Sequence, residues 1–264
     1  MKIACIGTGA MGGAIMRSVC KKYDVKNISV TDKNTEGAKA FASENGCNFA
    51  SGNIEVLKDA DFAFIAVKPQ FLKDVFDEIH GHIDAKTVLI SMAAGVKLET
   101  LKAFLPEGRF VRMMPNVCAQ IGEAMTAVTK SAEVSDDEFK TAKEILSAAG
   151  IVEEVPEKLM DCVTAVSGSG PAFVFMFIEA LADAAVLCGM PRAQAYTYAA
   201  QTVKGSAELV METGKHPAAL KDSVCSPAGT TIAGVKALEE NGFRNAVIQA
   251  VEKACLRSEE LGKK

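Results

Sequence analysis

The chain has 264 residues, 49% of them apolar and 23% charged, an ordinary globular composition with room for a substantial core in one large domain or two smaller ones. A formal net charge of -4 excludes the strong basic field on which nucleic-acid binding depends. Eight cysteines (Cys5, Cys20, Cys47, Cys118, Cys162, Cys188, Cys225 and Cys255) form no CxxC pair and share no zinc-ligand spacing with His80, His82 or His216. No metal is expected, and the cysteines are expected as small buried residues of a chain in a reducing compartment.

The N-terminal apolar run is too short for a signal peptide, so the expected location is cytoplasmic. Lys2 to Ile6 reads as a strand and Ala10 to Lys22 as a helix. Ile28 to Thr31 is a second strand, followed by a helix from Glu36 to Glu44. The continuous apolar run Phe62 to Val67 suits a strand covered on both faces. Pro69 to Ile79 follows as a helix, with Phe71, Val75, Phe76 and Ile79 on one side. Thr87 to Ser91 and Phe110 to Met113 are further strands, and strict strand–helix alternation predicts a parallel α/β sheet. Ala124 to Thr129 and Ile151 to Val155 read as last strands around a helix from Asp136 to Ala149, which Ser135 and Glu138 open with a capping box.

Beyond Glu157 the pattern is helical: Leu159–Val166, Pro171–Cys188, Arg192–Glu212, Pro217–Val224, Thr231–Glu240 and Phe243–Leu261. In the last, Phe243, Val247, Ala250 and Ala254 make one apolar stripe. The most membrane-like stretch, residues 170–190, carries Glu179 and Asp183, and its apolar run falls short of the ~20 residues a span needs, so a buried helix is expected. The chain thus divides into a nucleotide-binding α/β domain over 1–158 and an all-helical domain over 159–264. The helical half is apolar on more than one face, which predicts at least a homodimer.

Gly7-Thr8-Gly9-Ala10-Met11-Gly12 is a GxGxxG segment that follows the first strand and opens a helix. In that context Gly7 allows the tight turn, Gly9 the approach of a pyrophosphate, and Gly12 close helix–strand packing. The diphosphate then meets the free N–H groups and dipole of the helix start. Asp32 ends the second strand where an acidic residue would hold a ribose 2′-hydroxyl and favour NAD. Lys33, with Asn34, suits a 2′-phosphate instead, and capping of the next helix is a third role for Asp32; the residues alone leave these open. Ala66-Val67-Lys68-Pro69-Gln70, Ser91-Met92-Ala93-Ala94-Gly95 and Met113-Met114-Pro115-Asn116 each lie at the carboxyl end of a strand, where ligands of open α/β sheets bind. In the helical half, Ser167-Gly168-Ser169-Gly170-Pro171 and Ser226-Pro227-Ala228-Gly229-Thr230-Thr231 precede helices. Each reads either as a helix start or as an anion receptor.

Together with Gln201-Thr202, these segments resemble pyrroline-5-carboxylate reductases, in family order over almost the whole chain. SGSGPA and SPAGTTI are the most specific of them. The resemblance implies a Rossmann-like domain, a helical dimerisation domain, assemblies built from dimers, and reduction of Δ1-pyrroline-5-carboxylate to L-proline, usually with NADPH, NADH being the alternative. It implies cofactor contacts at Ile6, Gly7, Thr8, Gly9, Ala10, Met11 and Gly12, at Asp32 or Lys33, at Asn53, at Ala66, Val67, Lys68 and Pro69, and at Met92, Ala93 and Ala94. By the same match Gly229, Thr230 and Thr231 hold the substrate, with Ser169 nearby, Glu157 a weaker contact, and Thr231 placed to orient the ring nitrogen. Three departures stand out: Val117-Cys118-Ala119 after Asn116, Ala228 where glycine is frequent, and Asp32 where NADP enzymes often carry a small or basic residue.

Two other readings fit part of the sequence. β-Hydroxyacid dehydrogenases pair a similar N-terminal domain with helices, but neither Lys204 nor Lys158 has the GxxxK-type setting of their catalytic lysine. A dinucleotide-binding protein without turnover gives no reason for SGSGPA and SPAGTT to occur together.

Overall fold

The computed structural model describes residues Met1–Gly262. The chain forms two compact units: Met1–Ser169 with the segment from Ala254 onward, and Gly170–Lys253. The first unit thus runs through Ser169 and takes in the C-terminal segment.

The first unit is built on eight strands: β1 (Ile3–Ile6), β2 (Ile28–Thr31), β3 (Asn48–Phe49), β4 (Phe62–Ile65), β5 (Val88–Ser91), β6 (Arg109–Met114), β7 (Ala124–Lys130) and β8 (Gly150–Glu154). Their order is β3-β2-β1-β4-β5-β6-β7-β8. The direction of winding reverses between β1 and β4, which puts the ligand crevice at their carboxyl ends. All neighbouring pairs are parallel except β6–β7, which is antiparallel. The sheet is thus mostly parallel, as the strand–helix alternation of the sequence indicates, with one antiparallel pair. Residues 115–123 connect these two strands, and that is shorter than the roughly dozen residues a parallel crossover requires.

Period-two alternation divides the strand side chains between two cores. On one face Ile3, Cys5, Val30, Phe64 and Ile90 pack under α1 (Ala10–Lys22), α2 (Thr35–Asn45) and a later helix, Asp136–Leu146. On the other, Ala4, Ile6, Ile65 and Leu89 pack under α3 (Asn53–Leu57), α4 (Leu72–Ile79) and α5 (Leu98–Phe104). Double coverage is why these strands read as unbroken apolar runs. The Asp136–Leu146 helix is α6, opened by the Ser135–Glu138 capping box that the sequence indicated.

Phe71 corrects a second expectation. Pro69–Phe71 forms a 3₁₀ turn, and the α-helix begins only at Leu72. The tighter winding shifts the phase, so Leu72, Val75, Phe76 and Ile79 are buried while Phe71 is 46% exposed.

The chain then turns through a 3₁₀ segment, Glu157–Leu159, and α7 (Met160–Val163). The second unit carries α8 (Gly170–Leu187), α9 (Arg192–Thr213), α10 (Pro217–Ser223), α11 (Thr230–Glu240) and the start of α12 (Phe243–Leu261). α8 and α9 meet through Ala182, Ala195 and Ala199, small residues that let the two helices approach closely. The expectation of a buried helix near 170–190 is overturned. The helical stretch Glu157–Leu187 is long and apolar enough to cross a membrane, and α8 buries only Ala182. Its Phe175, Met176 and Leu187 are exposed at 59%, 69% and 89%. The Phe243/Val247 stripe of α12 is likewise open to solvent. The cysteine expectation holds for Cys5 alone: Cys162 and Cys188 are exposed and the rest half-buried, all of them free.

Glu138 ties α6 to β6. Its carboxyl is held at about 2, below the usual 4.5, chiefly by the Arg109 guanidinium at 2.5 Å and then by Ser135. Because the native state depresses this group, the stabilisation is complete above about pH 4.5 and disappears as pH falls towards 2. Glu138→Gln is expected to cost about 1–2 kcal/mol at neutral pH after solvent screening. Thermal melts between pH 4.5 and 2 should show a shallower loss of stability in the variant than in the parent.

Candidate dinucleotide and carboxylate sites

The glycine turn is locked between two strands. Gly7 donates its N–H to Thr31 O at 2.8 Å, and Ala66 donates to Ile6 O at 2.8 Å. A Cβ on Gly7, whose φ is +104°, would lie 2.5 Å from Ala66 O. One on Gly12 would lie 2.3 Å from Gly7 O and 2.6 Å from the Ala66 methyl. Both positions are therefore closed to any side chain. Gly9 is different. It is exposed, its φ is -65°, and a Cβ there would meet nothing within 4 Å. It caps α1 with no side-chain acceptor, and α1 has no acidic residue in its first turn. Uncapped N–H groups at a helix start beside an open backbone are what a diphosphate needs.

The remaining cofactor candidates of this unit gather at neighbouring strand ends. Met92 follows β5 and donates to Ile65 O at 3.3 Å; Ala93 is buried and Ala94 exposed. Val67 is half-buried, Lys68 and Pro69 are exposed, and Pro69 opens the 3₁₀ turn. Asn53 opens α3 and donates its amide to Glu78 at 2.7 Å. Asp32 turns both oxygens towards backbone: Oδ2 accepts from Thr8 N at 2.7 Å, and Oδ1 from Asn34 N at 2.9 Å. Lys33 is exposed and holds its ammonium 6.0 Å from the centre of the Phe71 ring. Sequence reasoning did not offer Phe71 as a candidate, because it placed the ring on the buried side of a helix.

Arg112 was missed as well, hidden in a strand otherwise apolar around it. Its side chain is 7% exposed, and Nη1 donates to Glu157 Oε1 at 2.9 Å. Leu98 N donates to the same oxygen at 2.7 Å. The Glu157 carboxylate thus already has two internal donors. It lines a cavity of about 430 Å³ together with Gly95, Lys97, Arg112 and Asp161.

The SGSGP segment does not open a helix after a loop. Thr164–Gly168 is a π turn joining α7 to α8, closed by Ser169 N donating to Thr164 O at 2.8 Å. Pro171 has no N–H to offer the carbonyl four residues back, and the wider turn accommodates that loss. Ser169 is half-buried at the end of this turn.

In the second unit, Ser226 to Gly229 closes a turn in which Gly229 N donates to Ser226 O at 3.0 Å. Pro227 and Ala228 are its central pair, and Ala228 has φ +58°. This is a type II pattern, which favours glycine where the alanine stands. Gly229 then caps α11 with no side-chain acceptor, leaving the first N–H groups and the exposed Thr230 and Thr231 open.

Two family descriptions match the chain: "Pyrroline-5-carboxylate reductase dimerisation" over residues 157–261 and "NADP oxidoreductase coenzyme F420-dependent" over residues 2–95. Among curated proteins, the pyrroline-5-carboxylate reductase of Methanosarcina acetivorans is 46% identical, across 100% of this chain and 98% of its own length. The Escherichia coli enzyme of that name is also 46% identical, across 99% and 98%. The chain belongs to the pyrroline-5-carboxylate reductase family. Solved structures agree. The Coxiella burnetii reductase superposes with a TM-score of 0.93 at 32% identity, covering 98% of each chain. The Plasmodium falciparum reductase, solved with NADP bound, gives 0.87 at 32%, covering 99% of this chain and 98% of that one.

Two outcomes follow from the turns. Gly9→Ala should cost the free protein no more than about 1 kcal/mol, as a poorer N-cap, yet weaken dinucleotide binding at least tenfold; unaltered binding by titration would remove Gly9 from the cofactor site. Ala228→Gly should raise stability by about 0.5–1 kcal/mol in denaturant unfolding, since relief of left-handed strain exceeds the added chain entropy.

Proposed function

We propose that this chain reduces 1-pyrroline-5-carboxylate to L-proline with NADPH, the last step of proline biosynthesis. The observation that carries the reading is 46% identity to reductases of that name over essentially the full length of both chains. The residues support it physically. The glycine turn and its uncapped helix suit a dinucleotide diphosphate, and the uncapped start of α11 suits a carboxylate.

The bound dinucleotide supplies the hydride, and the protein supplies position and charge. In this reading Ile6 to Gly12 seat the diphosphate. Asn53, Ala66 to Pro69 and Met92 to Ala94 line the rest of the dinucleotide, with small side chains at Ala93 and Ala94 leaving room for the flat nicotinamide. The N–H groups after Gly229, with the Thr230 hydroxyl, grip the substrate carboxylate. Thr231 Oγ faces the ring nitrogen and relays a proton to it, directly or through water, because an iminium carbon accepts hydride better than a neutral imine. Ser169 stays in the set as a neighbouring polar contact. Glu157 remains a weaker contact, with Arg112 and Leu98 both donating to its Oε1. Orientation of this kind is worth ~7–11 kcal/mol of barrier.

The family's dimerisation region spans 157–261, and the chain assembles with copies of itself. We propose a homodimer, the unit from which larger assemblies are built, acting in the cytoplasm on a small molecule and without a membrane or nucleic-acid partner. The exposed side chains of α8 are the surface such a dimer would cover.

Thr231→Ala is expected to lower kcat by ~10²-fold through loss of proton delivery, with Thr231→Ser retaining most of it. NADPH oxidation dependent on the imine measures this. Unchanged turnover with unchanged imine KM would take Thr231 out of the reaction.

A further inference from the structure

Three cysteines meet where α1 packs on the sheet. Cys5 lies in β1, Cys20 in the last turn of α1, and Cys47 between the Gly46 cap of α2 and β3. All three belong to one apolar cluster. Cys5 is fully buried, and its Sγ–H donates to Gly7 O at 3.2 Å, so it is already engaged with the glycine turn. Cys20 and Cys47 are half-buried and free, and their sulfurs are hydrogen-bonded to each other. Thiols in side-chain contact can form a disulfide without a large backbone movement. The backbone holds Cys47 in place: Gly46 takes a left-handed turn at φ +71°, and Cys47 N donates to Ala42 O at 3.1 Å. The pair is also chemically unequal. The Cys20 S–H donates to the Cys47 sulfur and so holds the Cys47 thiol below its ordinary range. The same bond, with burial, pushes the Cys20 thiol up. The thiolate is the nucleophile, so Cys47 reacts first.

We infer that Cys20 and Cys47 are a peroxide-sensitive dithiol, a modification site that closes into a disulfide between α1 and the entry to β3. The Cys47 thiolate attacks one oxygen of the peroxide, the O–O bond breaks, and hydroxide leaves, giving a sulfenic acid at Cys47. The Cys20 sulfur then attacks the Cys47 sulfur and gives up its proton; the S–O bond breaks, water leaves, and the disulfide remains. The two sulfurs together lose two electrons, and the peroxide is reduced to water. Cys5 takes no part, being fully buried and bonded to Gly7 O. The new bond braces the last turn of α1, the helix whose first turn carries the uncapped N–H groups, against the segment that follows α2. In a reducing compartment thiol exchange reopens it, so the modification is transient. It depends on no step of the reductase reading.

The test exposes the full-length, fully reduced protein to hydrogen peroxide in its native state, with no cofactor or imine present. Unreacted thiols are alkylated, and peptides are mapped by mass spectrometry without reduction. The Cys20 and Cys47 thiols should be lost together, about tenfold faster than those of Cys162 and Cys188. A linked Cys20–Cys47 peptide should appear and should vanish with dithiothreitol. Cys162 and Cys188 are the exposed cysteines, so accessibility alone gives the opposite order. Cys20→Ala should stop at a Cys47 sulfenic acid, captured by dimedone, and Cys47→Ala should leave Cys20 as a free thiol. The oxidised protein should melt at a higher temperature than the reduced one. Loss of Cys162 or Cys188 ahead of the pair, or oxidation with no link between Cys20 and Cys47, would overturn the inference. The parent protein alone decides this, whether or not either variant folds.

Discussion

The first unit depends on one close approach: the turn leaving β1 lies so near the end of β4 that no Cβ fits at Gly7 or Gly12. Ala66 sets the limit from the other side with its carbonyl and methyl. This contact fixes where α1 begins, and so aims its free N–H groups over the strand ends. A bulkier residue at either glycine would lift the helix from the sheet and move the anion site with it. The chain spends no side chain on capping α1, which is consistent with a ligand serving as the cap. Asp32 completes the arrangement by accepting from Thr8, so the end of β2 holds the same turn from a second direction.

Much of this was legible because the signals are local. Strand β1, helix α1 and the order of elements follow from apolar runs, a glycine pattern and a capping box, each contained in a few residues. β3, α3 and α5 left no trace in the pattern because each is shorter than the window in which helical or strand periodicity can be recognised. The antiparallel β6–β7 pair was missed for a related reason: the alternation of strands and helices says nothing of direction once a connection is too short to cross over. Phe71 was misplaced by a change of winding that no single-period reading contains. The π turn after α7 was hidden because serine and glycine before proline read equally well as an ordinary helix start.

Site residues divide along the same line. The glycine turn could be read from sequence because its chemistry is carried by missing side chains. Asp32 and Lys33 could not be separated there, since their roles depend on which way each side chain turns. In the structure both Asp32 oxygens accept from backbone, and the Lys33 ammonium lies near the Phe71 ring. Glu157 shows the reverse case. A carboxylate that family resemblance offers as a substrate contact is engaged by a buried arginine and a backbone N–H. Arg112, 7% exposed, and Leu98 N both donate to Oε1, so a substrate contact at Glu157 falls to the other oxygen.

The helical unit follows a different logic, which explains why burial was misjudged there. Sequence patterns report that a side chain is apolar, not which molecule covers it. In the α/β unit both sheet faces are covered by the same chain, so apolar residues are buried where expected. In α8, Phe175, Met176 and Leu187 remain exposed while only Ala182 is fully buried. Leaving several such side chains in water forfeits about 1.5–3 kcal/mol each. A second copy removes that penalty without lengthening the chain, and a symmetric contact uses the same apolar patch on both partners. The apolar length that makes this stretch resemble a membrane span is, on this argument, the signature of a surface completed by association.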